Sequence, residues 1–324
     1  MPGPDPAVAQ VRSAVRPGLA DTEIPVLVAC SGGADSLALA AALAFEGPRV
    51  GVPVGAVTVD HGLQPGSAEG AARTAELLRH LGLDPVQVVT VSVGSDGGPE
   101  GAARTARYEA LAAAGAGQRI ALGHTLDDQA ETVLLGLGRG SGPRSVAGMV
   151  EHRADGGGHW WRPLLGIRRT TTRAACAAQE LPVWDDPWNT DPAYTRVRLR
   201  TEVLPLLEEV LGGGVAPALA RTAALLRADL DALDGLAAAE SGRLDTGAGL
   251  PATELGALPD ALRLRVLRAW LRDGAVPDLQ AVHLAAVDAL LTRWHGQGPV
   301  TLPGGAAVVR ASGRLTLLPP QGRP

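Results

Sequence analysis

Val26-Leu27-Val28-Ala29-Cys30-Ser31-Gly32-Gly33-Ala34-Asp35-Ser36, followed by the Ala/Leu-rich stretch from Leu37 to Leu43, decides how the rest of the chain is read. The apolar run entered through Pro25 has the pattern of a strand buried on both faces. It meets a Ser-Gly-Gly turn, and a helix starts at about Ala34. Strand, glycine turn and helix start together aim backbone N–H groups and the positive end of a helix at phosphate. Gly32 and Gly33 permit positive φ and close approach of a ligand. Asp35, in the first helical turn, is favoured by the dipole but repels phosphate directly. A Mg²⁺ between carboxylate and phosphate resolves that conflict. A Walker-type loop is excluded, because it ends in Gly-Lys-Ser/Thr and all 29 basic residues here are arginine. On these residues alone, an ordinary glycine turn capped by Ser31 stays open as the alternative.

The 324 residues predict about two domains, and 46% hydrophobic content is ample for their cores. Net charge −5 gives no global basic footprint, so any nucleic-acid contact must be local. Cys30 and Cys176 form no CxxC or metal cluster and fit a reducing compartment. Neither an export signal nor a transmembrane stretch is visible, so a cytoplasmic protein is expected.

A short helical lead-in covers Ala7 to Val15. After the opening unit, strands are expected at Val52–Val59, Val86–Val91 and Arg119–His124. Helices are expected from Ser67, as N-cap, to Leu81, from Gly101 to Ala114, and from a cap at Asp127 or Asp128 to Leu137. This alternation implies an open parallel sheet with helices on both faces, a Rossmann-like α/β domain whose ligands bind beyond the carboxyl ends of the strands. Asp35, Asp60-His61, Arg104 and the stretch from His124 to Glu131 all fall at or just after those ends.

Asp60-His61 taken alone is an ordinary turn; beside the phosphate loop it becomes a site candidate. Glu100-Gly101-Ala102-Ala103-Arg104-Thr105-Ala106-Arg107-Tyr108 starts a helix on which Arg104 and Tyr108 share a face at i, i+4. Gly123-His124-Thr125-Leu126-Asp127-Asp128-Gln129-Ala130-Glu131-Thr132 packs three carboxylates and a histidine into a strand-to-helix junction. A capping box explains Asp128 with Glu131, but neither Asp127 nor His124. Neighbouring carboxylates suit capture of an ammonium group or a second metal. Gly138-Arg139-Gly140-Ser141-Gly142 is a flexible loop carrying one arginine. Asp155 to Gly158 reads as a turn and Thr170 to Glu180 as a helix. From Arg162 to Arg200 seven arginines face Glu180, Asp185, Asp186 and Asp191, a surplus of three that suits an RNA-facing patch. Helices from Pro205 onward, broken at Gly212–Gly214, lead into a smaller, mainly helical C-terminal domain closed by two short strands. There Arg263, Arg265, Arg268 and Arg272 make either a solvated face or an RNA contact. The domains divide at 212/213, as 1–212 and 213–324.

These stretches carry a resemblance. Ser31-Gly32-Gly33-Ala34-Asp35-Ser36 is similar to the SGGxDS loop of the N-type ATP pyrophosphatases, or PP-loop proteins, which split ATP between its α- and β-phosphates to adenylate a substrate. Val59 to Leu63, the helix start at Glu100, the His124–Thr132 segment, the glycine loop with Gly148-Met149, and Trp184 to Asp191 resemble the VDHGLR, ExxARxxRY, GHxxDDxxET, RGSG…GM and WxDPxNxD segments of the tRNA(Ile)-lysidine synthetases. Gln64 and Val197 depart from that pattern, which usually has arginine and asparagine there.

The resemblance implies ATP and Mg²⁺ as cofactors, with free L-lysine and an isoleucine tRNA bearing a CAU anticodon as partners, and leaves a homodimer open. It implies ATP contacts from Ser31, Gly32, Gly33, Ala34, Asp35, Ser36, Asp60, His61 and His124, with Asp35 on the metal. Asp127, Asp128 and Glu131 receive the lysine; Asp35, Arg104, Asp128 and Glu131 carry the chemistry, and Arg107 is structural. Arg139, Arg196, Arg198 and Arg200 contact the tRNA. A tRNA thiolase on the same fold and a non-enzymatic nucleotide- or tRNA-binding module are the rival readings.

Overall fold

The computed structural model describes residues 3–60, 62, 66–91, 99–140, 142–184, 191–245, 247 and 249–320. Helix α1 (Pro6–Ala20) starts where the Asp5 carboxylate accepts the Ala7 N–H, and leads into β1 (Val26–Ala29). Then follow α2 (Ala34–Glu46), β2 (Val54–Asp60), α3 (Ser67–His80), β3 (Val86–Thr90), α4 (Pro99–Ala114) and β4 (Arg119–Leu122). The N-cap of α3 is Gly66 in the left-handed region, φ 82°, rather than Ser67, which is the first helical residue. Glycine takes that conformation without the Cβ clash a serine meets.

The strands lie in the order β3-β2-β1-β4, with β1 paired in parallel to β2 and β4. The chain builds outward from β1 to β3, then returns over α4 to the other side of β1. The carboxyl ends of β1 and β4 therefore flank the point where the winding reverses, the crevice such sheets use for ligands. After α5 (Leu126–Gly138) and α6 (Pro143–Val146), a hairpin of β5 (His152–Asp155) and β6 (Gly158–Trp161) extends this edge. β6 runs parallel to β4 and β5 antiparallel to β6, so the sheet is mixed, not wholly parallel as expected. The turn read at 155–158 joins two four-residue strands, β5 polar and exposed and β6 carrying the buried Trp160 and Trp161, too short to show in the sequence pattern.

Side chains alternate between the faces of β1, as period two requires. Val26 and Val28 pack with α1, α2 and α7 (Arg169–Ala177), whereas Leu27 and Ala29 pack with Leu111 of α4, Ile120 and Trp160. Burial on both faces is why the run carries no polar alternation. Then α8 (Thr195–Arg198), a π-helical turn (Leu199–Val203) and α9 (Leu204–Val210) form one continuous helical stretch.

Contacts divide the chain into Met1–Ala224 and Leu225–Pro324, within α10 (Val215–Leu244), twelve residues beyond the boundary expected at 212/213. The second unit holds β7 (Leu250–Pro251), α11 (Ala252–Gly256), α12 (Asp260–Asp273), α13 (Ala281–Thr292), β8 (Val300–Thr301), β9 (Ala307–Ala311) and β10 (Arg314–Leu318). Its helices pack on a four-stranded sheet ordered β7-β10-β9-β8, two strands more than the sequence revealed. Arg263 is buried between Asp288 and Asp260, at 2.6 and 2.7 Å, and Arg265 pairs with Asp234 at 2.8 Å. These arginines brace the unit internally instead of forming one charged face. Among the described residues no single helix is long and apolar enough to cross a membrane.

Candidate active site

The loop after β1 is closed by its own serines. Ser36 Oγ donates to Gly33 O at 2.9 Å and accepts the Ser31 N–H at 3.2 Å. Gly32 sits at φ 84°, where a Cβ would meet Thr74 Oγ1 at 2.7 Å. Gly123, just past β4, lets that strand end approach the start of α2: a Cβ there would lie 3.0 Å from the backbone of Asp35 and Ser36. Gly33 is the N-cap of α2 and supplies no capping side chain. The first-turn amides of a 13-residue helix thus point, uncapped, into a cavity of about 580 Å³ lined by Ser31, Gly33, Ala34, Asp35 and Ser36. Unsatisfied N–H groups at the positive end of a helix form an anion site.

Across the cavity stands α5. Its N-cap is Thr125, not Asp127 or Asp128. Thr125 N–H donates to Asp128 Oδ2 at 2.8 Å, and Asp128 N–H returns to Thr125 Oγ1 at 3.4 Å. The capping box is therefore Thr125 with Asp128, one turn earlier than Asp128 with Glu131. Asp128, Glu131 and Thr132 share the helix face that meets the arginines.

Those arginines arrive from segments distant in sequence. Arg169 Nη2 lies 2.6 Å from Asp128 Oδ1, its Nε 3.2 Å from Asp35 Oδ2, and its Nη1 3.4 Å from Glu131 Oε1. Arg200 grips Glu131 with Nε at 2.8 Å and Nη2 at 3.2 Å, and reaches Asp128 at 3.5 Å. Glu131 is fully buried beneath both guanidiniums. Asp127 turns away: it pairs with Arg168 at 3.0 Å and accepts the Arg169 N–H at 2.8 Å, closing the start of α7. Burial raises the Asp128 carboxyl, but Arg169 and the Thr125 hydrogen bonds outweigh it and hold it below the usual range. Asp35 is raised, because burial outweighs Thr172 and Arg169.

The Arg196, Arg198 and Arg200 run splits on its helix. Arg196 and Arg200, four apart, face α5, with Arg196 Nη1 at 3.4 Å from Thr132 Oγ1. Arg198 points out and pairs with Glu202 at 2.9 Å. Arg139, the C-cap of α5, is exposed. On α4 it is Arg107 that lines the cavity, whereas Arg104 is exposed and lies on Tyr108, its Nη2 3.3 Å from the hydroxyl. Burial lowers the Arg107 guanidinium, and among the described residues no carboxylate pairs with it. Spacing of i, i+3 could not decide which arginine faces inward; the packing of Tyr108 against Trp160 at 4.8 Å fixes the helix rotation.

His124 lines the cavity with a buried Nδ1 that has no hydrogen-bond partner, and burial pushes it down to about 3, so it is a neutral imidazole. Asp60 ends β2 and accepts the Gly62 N–H at 3.0 Å, without lining the cavity. His61, Gln64, Ser141 and residues 185–190 lie outside the described residues. Both cysteines are buried and burial raises both thiols, Cys176 to about 11, which leaves neither as a low-pKa sulfur nucleophile.

Among the described residues no three His, Cys, Asp or Glu groups could hold a metal by themselves. Asp35 beside uncapped amides does fit Mg²⁺, which uses one or two carboxylates together with substrate phosphates. One cavity thus brings together uncapped amides, Arg107, and the carboxylates of Asp35 and Asp128 with their arginine partners Arg169 and Arg200.

A PP-loop domain model matches residues 7–207, and a TilS substrate-binding domain model matches residues 250–316. The chain is 52% identical to a tRNA(Ile)-lysidine synthase of Streptomyces coelicolor, over 97% of this chain and 99% of that one. It is 54% identical to that of Salinispora tropica, over 97% of each. Among solved structures, the U34-tRNA thiolase NcsA from Methanococcus maripaludis superposes with a TM-score of 0.56 at 19% identity, covering 68% of this chain and 80% of that one, a likeness of fold. With both domain models matched in order and half of its residues identical to such relatives along nearly their whole length, the chain belongs to the tRNA(Ile)-lysidine synthase family.

Proposed function

We infer that the protein is an ATP-dependent ligase that joins lysine to C2 of the wobble cytidine in the CAU anticodon of an isoleucine tRNA. The observation that carries this reading is the mixed lining of one cavity: the uncapped start of α2 with Asp35 in its first turn, the arginines Arg107, Arg169 and Arg200, and the carboxylate of Asp128. ATP needs the amides and Arg107, and lysine the carboxylate of Asp128. In the first step the cytidine C2 oxygen attacks the α-phosphorus and pyrophosphate leaves. Preorganised N–H groups of the Ser31–Ser36 loop receive the leaving charge, and Arg107 steadies the α-phosphate. Asp35 would hold Mg²⁺, which would supply charge neutralisation of the phosphates. In the second step a neutral amine of lysine attacks C2, the C2–O bond breaks so that the oxygen leaves with AMP, and the proton lost from the attacking nitrogen passes to water. Asp128 holds the lysine ammonium, with Glu131 behind it maintaining the charge of the cluster. His124, being neutral, offers Nδ1 as a hydrogen-bond partner to bound nucleotide.

Arg139 and Arg198 are exposed enough to meet tRNA phosphates, and a surface ion pair such as Arg198–Glu202 exchanges readily for one. Arg196 and Arg200 act further inside, where they support α5. The setting of this reaction is the cytoplasm. Incubation with ATP, Mg²⁺, labelled lysine and unmodified tRNA tests it: label must enter the RNA with one AMP and one pyrophosphate released per lysine. Release of pyrophosphate without incorporation of lysine would refute the second step.

A further inference from the structure

Arg169 occupies an unfavourable position for a cation. It is the first residue of α7, where the helix dipole favours negative charge. Asp127 offsets this by accepting the Arg169 N–H at 2.8 Å, and Thr172, one turn on, donates its hydroxyl to Asp35 Oδ1. The guanidinium then bridges Asp35, Asp128 and Glu131 at 3.2, 2.6 and 3.4 Å. Arg200 shares Asp128 and Glu131, so those two acids have two cations between them. Among the described residues Asp35 pairs with one cation, Arg169. Both Asp35 oxygens are engaged, Oδ1 by Thr172 and Oδ2 by Arg169. A divalent ion that takes Asp35 comes up against the Arg169 guanidinium, a like charge 3.2 Å from Oδ2 of the same carboxylate.

We propose that Arg169 is an internal counter-cation that competes with the divalent metal for Asp35. It holds the three acids together before nucleotide binds, and gives up Asp35 when metal arrives with the phosphates. Asp128 and Glu131 keep Arg169 in place as it does so, which makes the exchange a short swing of one side chain. The protein thereby discriminates against metal without ATP. This rests on the reading of Asp35 as the Mg²⁺ carboxylate.

The probe is Mn²⁺, counted by the electron paramagnetic resonance signal of the free ion, with the full chain and no nucleotide. Arg169→Gln should bind Mn²⁺ about ten- to hundredfold more tightly than the unaltered chain, the range for losing one charge-assisted contact. Its melting temperature should rise on adding Mg²⁺, while that of the unaltered chain stays put. Arg169→Lys, which keeps the charge but not the three-way fork, should tighten binding by a smaller factor, and it serves if the glutamine variant fails to fold. Adding Asp35→Asn to either variant should abolish the gain. Binding no tighter in both variants, while the unaltered chain takes up Mn²⁺ with ATP, overturns the competition and spares the Asp35 reading. Failure of the unaltered chain to retain Mn²⁺ with ATP, read as protein-bound metal in equilibrium dialysis because ATP alone binds the ion, removes the Asp35 reading itself. Tightening that survives Asp35→Asn overturns the proposal too.

Discussion

Replacing Asp128 by asparagine should separate the two chemical steps. Asp128 uses its oxygens differently: Oδ2 accepts from Thr125 N–H and hydroxyl, both at 2.8 Å, and Oδ1 accepts from Arg169 at 2.6 Å. Asparagine can keep its carbonyl oxygen on Thr125, so the cap of α5 survives. Its NH₂ then faces Arg169, donor against donor, and the negative charge for the lysine ammonium is gone. A hydrogen bond to a charged group contributes about 1.5–3 kcal/mol, and about 1.4 kcal/mol is tenfold, so the lysine KM should rise roughly ten- to hundredfold. Stability should fall less than on removing the buried Glu131, because Arg169 retains Asp35 and Glu131. The assay forms adenylated tRNA without lysine, isolates it, and follows its discharge on adding lysine. Asp128→Asn should adenylate near the normal rate and discharge slowly; Arg107→Ala should lose adenylation. If Asp128→Asn blocks adenylation as completely as Arg107→Ala, its carboxylate serves the nucleotide and the lysine assignment is wrong.

Other outcomes follow from the same geometry. Asp35→Asn should abolish adenylation while tRNA affinity, measured by filter binding, stays within a few-fold; ordinary adenylation would exclude Asp35 from metal binding. Arg104→Ala, at an exposed position on Tyr108, should cost little adenylation activity beside Arg107→Ala, and equal losses would restore Arg104 to the site. His124 titrates at about 3 when folded against about 6.5 when unfolded, so the unfolded chain alone binds that proton between those values. Stability should therefore fall as pH drops from about 6.5 toward 3, by up to about 1.4 kcal/mol per pH unit from this group. Asp35, raised by burial, works in the opposite sense across the carboxylate range, so the test compares His124→Gln, which should flatten the slope in urea unfolding; an unchanged slope removes His124 as the cause. Arg198→Ala should reduce the log–log salt slope of tRNA binding by about one unit, and an unchanged slope places the phosphates elsewhere.

The linear order of residues was enough for the glycine loop after β1, the alternation of strands and helices, and the clustering of site candidates at strand ends. Each is written within a few neighbouring residues: a two-face apolar run, a Ser-Gly-Gly turn, a helix start. Elements whose stability comes from their neighbours escaped it, as with the short edge hairpin of β5 and β6 and the short strands β7 and β8. Tertiary structure alone decided which charges are available. Arg169 lies 134 residues from Asp35 and Arg200 lies 69 from Glu131, and no local pattern announces such pairs. Arg196, Arg198 and Arg200 read as one basic run, yet helical rotation sends two inward and one out. Arg104 was expected at the chemistry and Arg107 in a structural place, yet the seat of Tyr108 on Trp160 turns Arg107 toward the cavity. Periodicity and turn chemistry act over a few residues and survive in the linear code. The sign of the field at a carboxylate is a sum over everything folded around it, and exists only once the chain has closed on itself.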